Sequence, residues 1–149
     1  MYKKNILLHI SNNQGVWLLL ELFKVDKYSN IYWVDSFLEE FLKLVKEKKG
    51  DAPPYMQYQR WLYDKANVLD ELGVRAISLK HFEDLKESQK VDKEEFKLYS
   101  IRYPKSKINV RVIFTFCDNM IILLHSFKEK SKKDYARAII RSKNIIKSI

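Results

Sequence analysis

The sequence contains a single cysteine, Cys117, and only three glycines and three prolines among its 149 residues. One cysteine excludes a disulfide within the chain and a zinc site built from several thiolates, and it suits a reducing compartment. So little glycine and proline excludes a flexible linker or a low-complexity chain. The longest purely apolar runs, 16–20 and 120–124, have five residues each, whereas a membrane-spanning helix needs roughly 20. We therefore expect a compact cytoplasmic protein.

Apolar residues make up 46% of the chain, which is enough for one domain with its own core. The formal net charge is +9, and it is distributed unevenly. Residues 1–92 hold 14 Lys and Arg against 14 Asp and Glu, whereas residues 93–149 hold 14 against 5. A positive field on one part of a protein attracts polyanions. A solvated basic face is the alternative, but aromatic residues and predicted strands in the same segment favour nucleic acid as the partner.

Hydrophobic periodicity predicts one strand and two helices in the N-terminal half. Residues 16–25 are rich in branched and aromatic side chains, which is typical of a strand. The S-x-x-E capping pattern that starts at Ser36 predicts a first helix, and an apolar stripe predicts a second helix over 55–72. Residues 74–79 are read as a short strand or a link. The polar segment 81–90 is read as a helical turn or a loop.

The C-terminal half has the period of two that is typical of strands. Strands are predicted over 96–103, 108–117 and 120–127, with a tight turn at residues 118–119 between the last two. Asp134 is predicted to cap a final helix. This order indicates an α+β fold, in which two N-terminal helices pack on one face of a curved, mainly antiparallel sheet that is followed by a C-terminal helix.

Four stretches of the chain resemble the RelE/ParE superfamily of small basic toxins, and the HigB-like branch most. They are VDSFL at 34–38, LYSIR at 98–102, RVIF at 111–114 and ILLHSFKEKS at 122–131. The last two stretches together are similar to the family's run RVFYxF…ILLHxFxKKT. The resemblance covers roughly residues 16–149, and residues 1–15 have no counterpart in it.

The resemblance implies a RelE-like domain over 16–149 that is preceded by an N-terminal extension over 1–15. It implies a toxin of a type II toxin–antitoxin system, an endoribonuclease that cleaves messenger RNA, often on the ribosome. Such toxins need no metal or other cofactor, and we expect none here. The expected partners are RNA and a cognate antitoxin, commonly a helix-turn-helix protein, and no membrane.

RNA cleavage without a metal requires a base for the 2′-hydroxyl proton, cations for the crowded phosphate and an acid for the leaving oxygen. Arg111 is the first candidate, because the family carries an arginine here and a guanidinium can bind two phosphate oxygens at once. Tyr135 is a candidate acid or base if nearby lysines lower its pKa, or else a core tyrosine. Lys130 matches a lysine of the family, whereas Glu129 departs from another. His125 can accept a proton, although a strand histidine is more often packed in the core.

Five further residues are candidates for RNA binding. Arg102 matches an arginine of the family and can position the RNA backbone. Lys128, Lys132 and Lys133 lie with Lys130 in a basic segment that is suited to phosphates, or that serves only solubility. Tyr99 can stack on an unpaired base.

Two other functions stay open at this point. A ParE-like protein would use the same fold to bind and inhibit DNA gyrase. A non-catalytic nucleic-acid-binding relative would bind RNA without cutting it. Glu129 would mark such a loss of activity, and so would Ser100, which lies where several ribosome-dependent relatives carry a basic residue.

Overall fold

The computed structural model describes residues 3–9, 17–25, 28–46, 55–103 and 109–148. Within these ranges the chain forms seven strands, three α-helices and one 3₁₀ helix. In chain order they are β1 (Lys3–His9), β2 (Trp17–Lys24), β3 (Ile31–Val34), α1 (Phe37–Lys46), α2 (Tyr55–Leu72), the 3₁₀ helix (Gly73–Ser78), β4 (Phe82–Val91), β5 (Glu94–Arg102), β6 (Val110–Cys117), β7 (Met120–Lys128) and α3 (Lys132–Lys147). None of these helices is long and apolar enough to cross a bilayer.

All seven strands form one sheet in the order β1-β2-β3-β7-β6-β5-β4. Neighbouring strands are antiparallel except β3 and β7, which run parallel. The parallel pair therefore joins an N-terminal group of three strands to a C-terminal group of four. A parallel connection needs a long crossover, and the chain between β3 and β7 includes all of α1 and α2.

The α+β class and most of the long elements agree with the sequence prediction. The strand over 16–25, the helix over 55–72 and the hairpin that turns at residues 118–119 all form close to their predicted bounds. Asp118 has a φ of 53°, as the first position of a tight hairpin turn requires. Val16 and Ile108, the first residues of two predicted strands, lie outside the described residues.

The prediction for residues 81–90 was wrong, because β4 occupies Phe82–Val91. β4 is the edge of the sheet and pairs only with β5, so much of it remains polar and in contact with solvent. A register shift between Asp84 and Glu87 interrupts the pairing further. β3 was not predicted either, since it has only four residues. Residues 74–79 belong to the 3₁₀ helix and its end rather than to a strand.

The helices cover both faces of the sheet, whereas the sequence predicted one face. On one face, paired residues Ser100, Ile113 and His125 of β5, β6 and β7 lie beneath α3, because Ser100 bonds to Tyr135 of that helix. The opposite face carries Tyr103, whose ring lies 4.6 Å from that of Tyr58 in α2. Coverage on both sides explains why Val110 to Thr115 of β6 are all buried.

The start of α3 is fixed by a reciprocal capping box. Ser131, rather than the predicted Asp134, is the N-cap, and Asp134 is the third helical residue. The Asp134 carboxylate accepts backbone N–H groups from Lys130 at 2.9 Å and Ser131 at 3.0 Å. These bonds hold the pKa of Asp134 below its ordinary value. The capping box therefore fixes the short loop between β7 and α3, in which Glu129 lies.

Candidate nucleic-acid site

Arg111, the first candidate from the sequence, is held by two carboxylates. It is only 8% exposed and lies in β6 on the face covered by α3. Its Nε donates a hydrogen bond to Oε2 of Glu129, and its Nη1 lies 3.4 Å from Oε2 of Glu83. The guanidinium carbon lies 4.9 Å from the centre of the Tyr135 ring. Arg111 is therefore held by ion pairs rather than free in solvent.

The two carboxylates hold Arg111 with different strength. The Glu129 side chain is 20% exposed, and the Asn109 side-chain amide binds the same Oε2 atom at 3.0 Å. The Glu129 backbone N–H also binds the Asn109 carbonyl, at 2.8 Å. The Glu83 side chain is 57% exposed, and its contact with Arg111 is long for a hydrogen bond. Glu129 is therefore the fixed partner, and Glu83 is the one that a competing anion can displace.

The ring of Tyr135 packs against the Arg111 guanidinium, and its hydroxyl points into the protein. The hydroxyl lies 2.9 Å from Oγ of Ser100, which is fully buried. The pKa of Tyr135 is raised above its ordinary value, mainly by burial, although Ser100 and Arg111 act in the opposite direction. The condition that nearby lysines lower this pKa, under which Tyr135 would act as an acid or base, is not met. The phenol therefore stays protonated near neutral pH and is not available as a base.

Replacing Tyr135 with phenylalanine tests this structural role. Tyr135→Phe leaves the buried Ser100 hydroxyl without its partner, which is expected to lower the free energy of unfolding by about 1–3 kcal/mol. The ring beneath Arg111 is kept, so any RNA cleavage by the wild type should continue in the variant. Denaturant unfolding measures the first effect. A Tyr135→Phe/Ser100→Ala double variant that is as unstable as the two single changes added together would contradict this pairing.

A polar cleft of about 260 Å³ opens beside Arg111, with one wall formed by β4 and β5. Arg102, a predicted RNA-binding residue, pairs directly with Arg111 across β5 and β6 and is exposed. The remaining lining residues are His81, Phe82 and Glu83. These three residues were not predicted as site residues, because the polar sequence of β4 does not indicate a strand. Phe82 of β4 pairs with Ile101 of β5, and this pairing brings the start of β4 next to Arg102.

The predicted lysines do not line this cleft. Lys130, Lys132 and Lys133 are exposed, and the last two belong to the first turn of α3 rather than to a loop. Lys128 ends β7 opposite Val110 and is half-buried. Among the described residues, the arginine pair lines this cleft and the four lysines do not.

His125 and Tyr99 also lie outside the cleft. The Nδ1 atom of His125 is 3.4 Å from Oε2 of Glu40, in a separate cavity of about 230 Å³. Burial lowers the pKa of His125. The Glu40 carboxylate raises this pKa, and the Arg141 cation lowers it. Tyr99 lies on the opposite face of the sheet, where its ring stacks 5.7 Å from Phe114. Of the predicted site residues, Arg102 and Tyr135 are shown in the described part of the chain to lie next to Arg111.

Comparison with known proteins assigns no family, because no protein-family model, curated protein or solved structure matches the chain. Within the part of the chain that the structure describes, no three His, Cys, Asp or Glu residues form a group that could hold a metal ion. The role of the cleft is therefore inferred from its own side chains and from the resemblance in the sequence.

Proposed function

We propose that this protein is a RelE/HigB-like toxin, an endoribonuclease that cleaves messenger RNA in the cleft beside Arg111 without a metal. The observation that carries this proposal is the pairing of Arg102 with Arg111 across two strands, at the wall of one polar cleft. Guanidinium groups bind phosphate oxygens in a fixed, two-pronged geometry. Two of them side by side suit a phosphodiester in an RNA backbone.

Phosphate binding requires an exchange of partners at Arg111. The exposed Glu83 carboxylate, at 3.4 Å from Nη1, is the partner that a phosphate replaces. Glu129 stays on Nε and holds the guanidinium in place while the phosphate takes the position of Glu83 at Nη1. The Tyr135 ring supports the same guanidinium from the other side. Arg111 is thus oriented before RNA arrives, which reduces the entropy lost on binding.

The reaction needs little covalent chemistry from the protein. The 2′-oxygen attacks the adjacent phosphorus, and the bond from phosphorus to the 5′-oxygen breaks, which leaves a 2′,3′-cyclic phosphate. Negative charge builds up on the phosphate in the transition state, where Arg102 and Arg111 stabilise it. A cognate antitoxin would silence this activity, and the surplus of cations in residues 93–149 suits an acidic partner.

Incubation of the purified protein with RNA tests the proposal. We expect cleavage in the presence of a chelator, products that end in a 2′,3′-cyclic phosphate, and no cleavage of an otherwise identical strand with 2′-deoxy residues. Expression without an antitoxin should arrest growth. Products with other ends, or cleavage of the deoxy strand, would show that a different reaction occurs.

A non-catalytic nucleic-acid-binding protein is the second candidate, because two carboxylates neutralise the charge of Arg111. It predicts that RNA is bound and stays intact. Such binding would weaken steeply with salt, since it depends on charge. A gel-shift experiment run beside the cleavage assay separates the two functions.

A further inference from the structure

We propose that His81 is the general base of the cleft and takes the proton from the 2′-hydroxyl of bound RNA. This inference rests on the proposed function and gives it a residue that the sequence did not indicate. His81 lines the same cleft as Arg102 and Arg111, which would hold the phosphate next to that hydroxyl. Two features of the histidine itself, its backbone and its ring, support the assignment.

The backbone of His81 adopts a strained conformation that glycine would adopt without strain. Its φ of 78° lies in the left-handed region, which side chains other than glycine rarely adopt. His81 is the third residue of a turn that the Phe82 N–H closes on the Leu79 carbonyl at 3.2 Å, and glycine usually occupies this position. The Arg102 N–H binds the His81 carbonyl at 2.9 Å and so keeps the strained residue beside the arginine. Strain that the surrounding structure maintains is typical of functional sites.

The imidazole ring lacks the partners that a structural histidine has. Its Nδ1 atom is shielded from solvent and has no hydrogen-bond partner among the described residues. Buried polar atoms without partners are rare in folded proteins. Nε2 is then the ring nitrogen that is left for a ligand in the cleft, which the charged side chains of Glu83 and Arg111 also line.

The surroundings of His81 keep its ring neutral near pH 7. Burial lowers the pKa of the imidazole below its ordinary value. The cations of Lys65 on α2, Lys80 in the same turn and Arg102 on β5 act in the same direction. A neutral imidazole can accept a proton, and the cationic ring that results then faces a phosphate.

The proposed step is balanced within the RNA and the cleft. The proton of the 2′-hydroxyl moves to Nε2 of His81 as the 2′-oxygen forms its bond to phosphorus. The bond from phosphorus to the 5′-oxygen breaks, and the departing oxygen takes a proton from solvent. His81 later loses its extra proton to solvent, so no oxidant, reductant or further reactant is needed.

His81→Gly is the most direct test, because glycine suits a φ of 78° and removes the ring. We expect a fold at least as stable as the wild type, and kcat/KM for RNA cleavage at least about 100-fold lower. Added imidazole should restore cleavage in proportion to its concentration. For the wild type, kcat/KM should decrease as the pH falls through the lowered pKa of His81, and His81→Gly should lack this decrease.

Asp92→Gly is the matched control, since Asp92 has a φ of 56° in the turn at the other end of the β4–β5 hairpin. It relieves similar strain far from the cleft and should cleave as the wild type does. His81→Asn repeats the test if the glycine variant unfolds, because asparagine tolerates left-handed backbone but is no base. Lys65→Gln removes a cation that lowers the pKa of His81. The activity of this variant should therefore begin to decrease at a higher pH than that of the wild type.

The possible outcomes separate the inference from the function on which it rests. An inert wild-type protein overturns the proposed function, and the role of His81 with it. An active wild type, with a folded His81→Gly variant that is equally active, overturns the role of His81 alone. In the third outcome, His81→Gly loses cleavage, imidazole does not restore it, and the residual activity has the pH profile of the wild type. His81 would then only shape the turn, and its role as a base would be overturned.

Discussion

Arg111→Ala is expected to reduce RNA cleavage by about 100- to 1000-fold, because it removes a preorganised cation from the charge that develops in the transition state. The change should act mainly on kcat, since Arg102 remains to bind the phosphate in the ground state. Single-turnover cleavage of a short RNA at saturating protein measures the effect directly. Arg137→Ala is the matched control, because Arg137 is a 75% exposed arginine of α3 outside the cleft.

The folded state of this variant needs a separate check. Without Arg111, the Glu129 carboxylate keeps only its bond to Asn109 in a largely buried place. Removing one partner of a buried ion pair is strongly destabilising, whereas removing both is better tolerated. Arg111→Ala combined with Glu129→Gln should therefore be more stable than Arg111→Ala alone and equally inactive. Full cleavage by this folded double variant would exclude Arg111 from the reaction.

Phe114→Ala is expected to lower the free energy of unfolding by about 3–5 kcal/mol, the usual cost of removing a buried phenylalanine. Phe114 is fully buried in β6, and its ring lies within 5.7 Å of Tyr99 and 5.6 Å of Phe116. Domains of this size are stable by about 5–15 kcal/mol, so the variant should be close to unfolding. Denaturant unfolding monitored by fluorescence gives the difference.

Phe116→Ala provides the comparison for this change. Phe116 lies two residues further along β6 and also contacts the Tyr99 ring, but it is only partly buried. Its loss should cost clearly less than the loss of Phe114. Equal costs would mean that the centre of the sheet does not hold the main core, and that the burial of β6 on both faces is not what stabilises it.

The sequence predicted those parts of the fold that contain their own periodic signal. α2 has enough turns to show an apolar stripe, and the β6–β7 hairpin has two long strands and a recognisable turn. β4 lacks that signal because an edge strand is stabilised on one side only and keeps its polar residues. The sequence also could not show that helices cover both faces of the sheet. Which helix buries which side of a strand is decided by tertiary packing and not by the strand itself.

The candidate site was predicted only in part, for a similar reason. Arg111 and Tyr135 were expected at one place, and they do meet, because their positions follow from a regular strand and a regular helix. The role of Glu129 as the partner of Arg111 depends on the loop after β7, whose course is fixed by the capping box of α3. His81 joins the site through β4, a strand that local sequence did not reveal.

Titration of the ¹⁵N-labelled protein with an RNA oligonucleotide that carries 2′-O-methyl groups, and so cannot be cleaved, tests the arginine cleft most directly. Nuclear magnetic resonance follows the Nε–H signal of Arg111, which its loss in Arg111→Lys identifies. If the phosphate replaces Glu83 on this guanidinium, the signal shifts and saturates together with the backbone signals of His81 and Arg102. A bound oligonucleotide that shifts the signals of Lys132 and Lys133 and leaves that of Arg111 unchanged would contradict the proposed site.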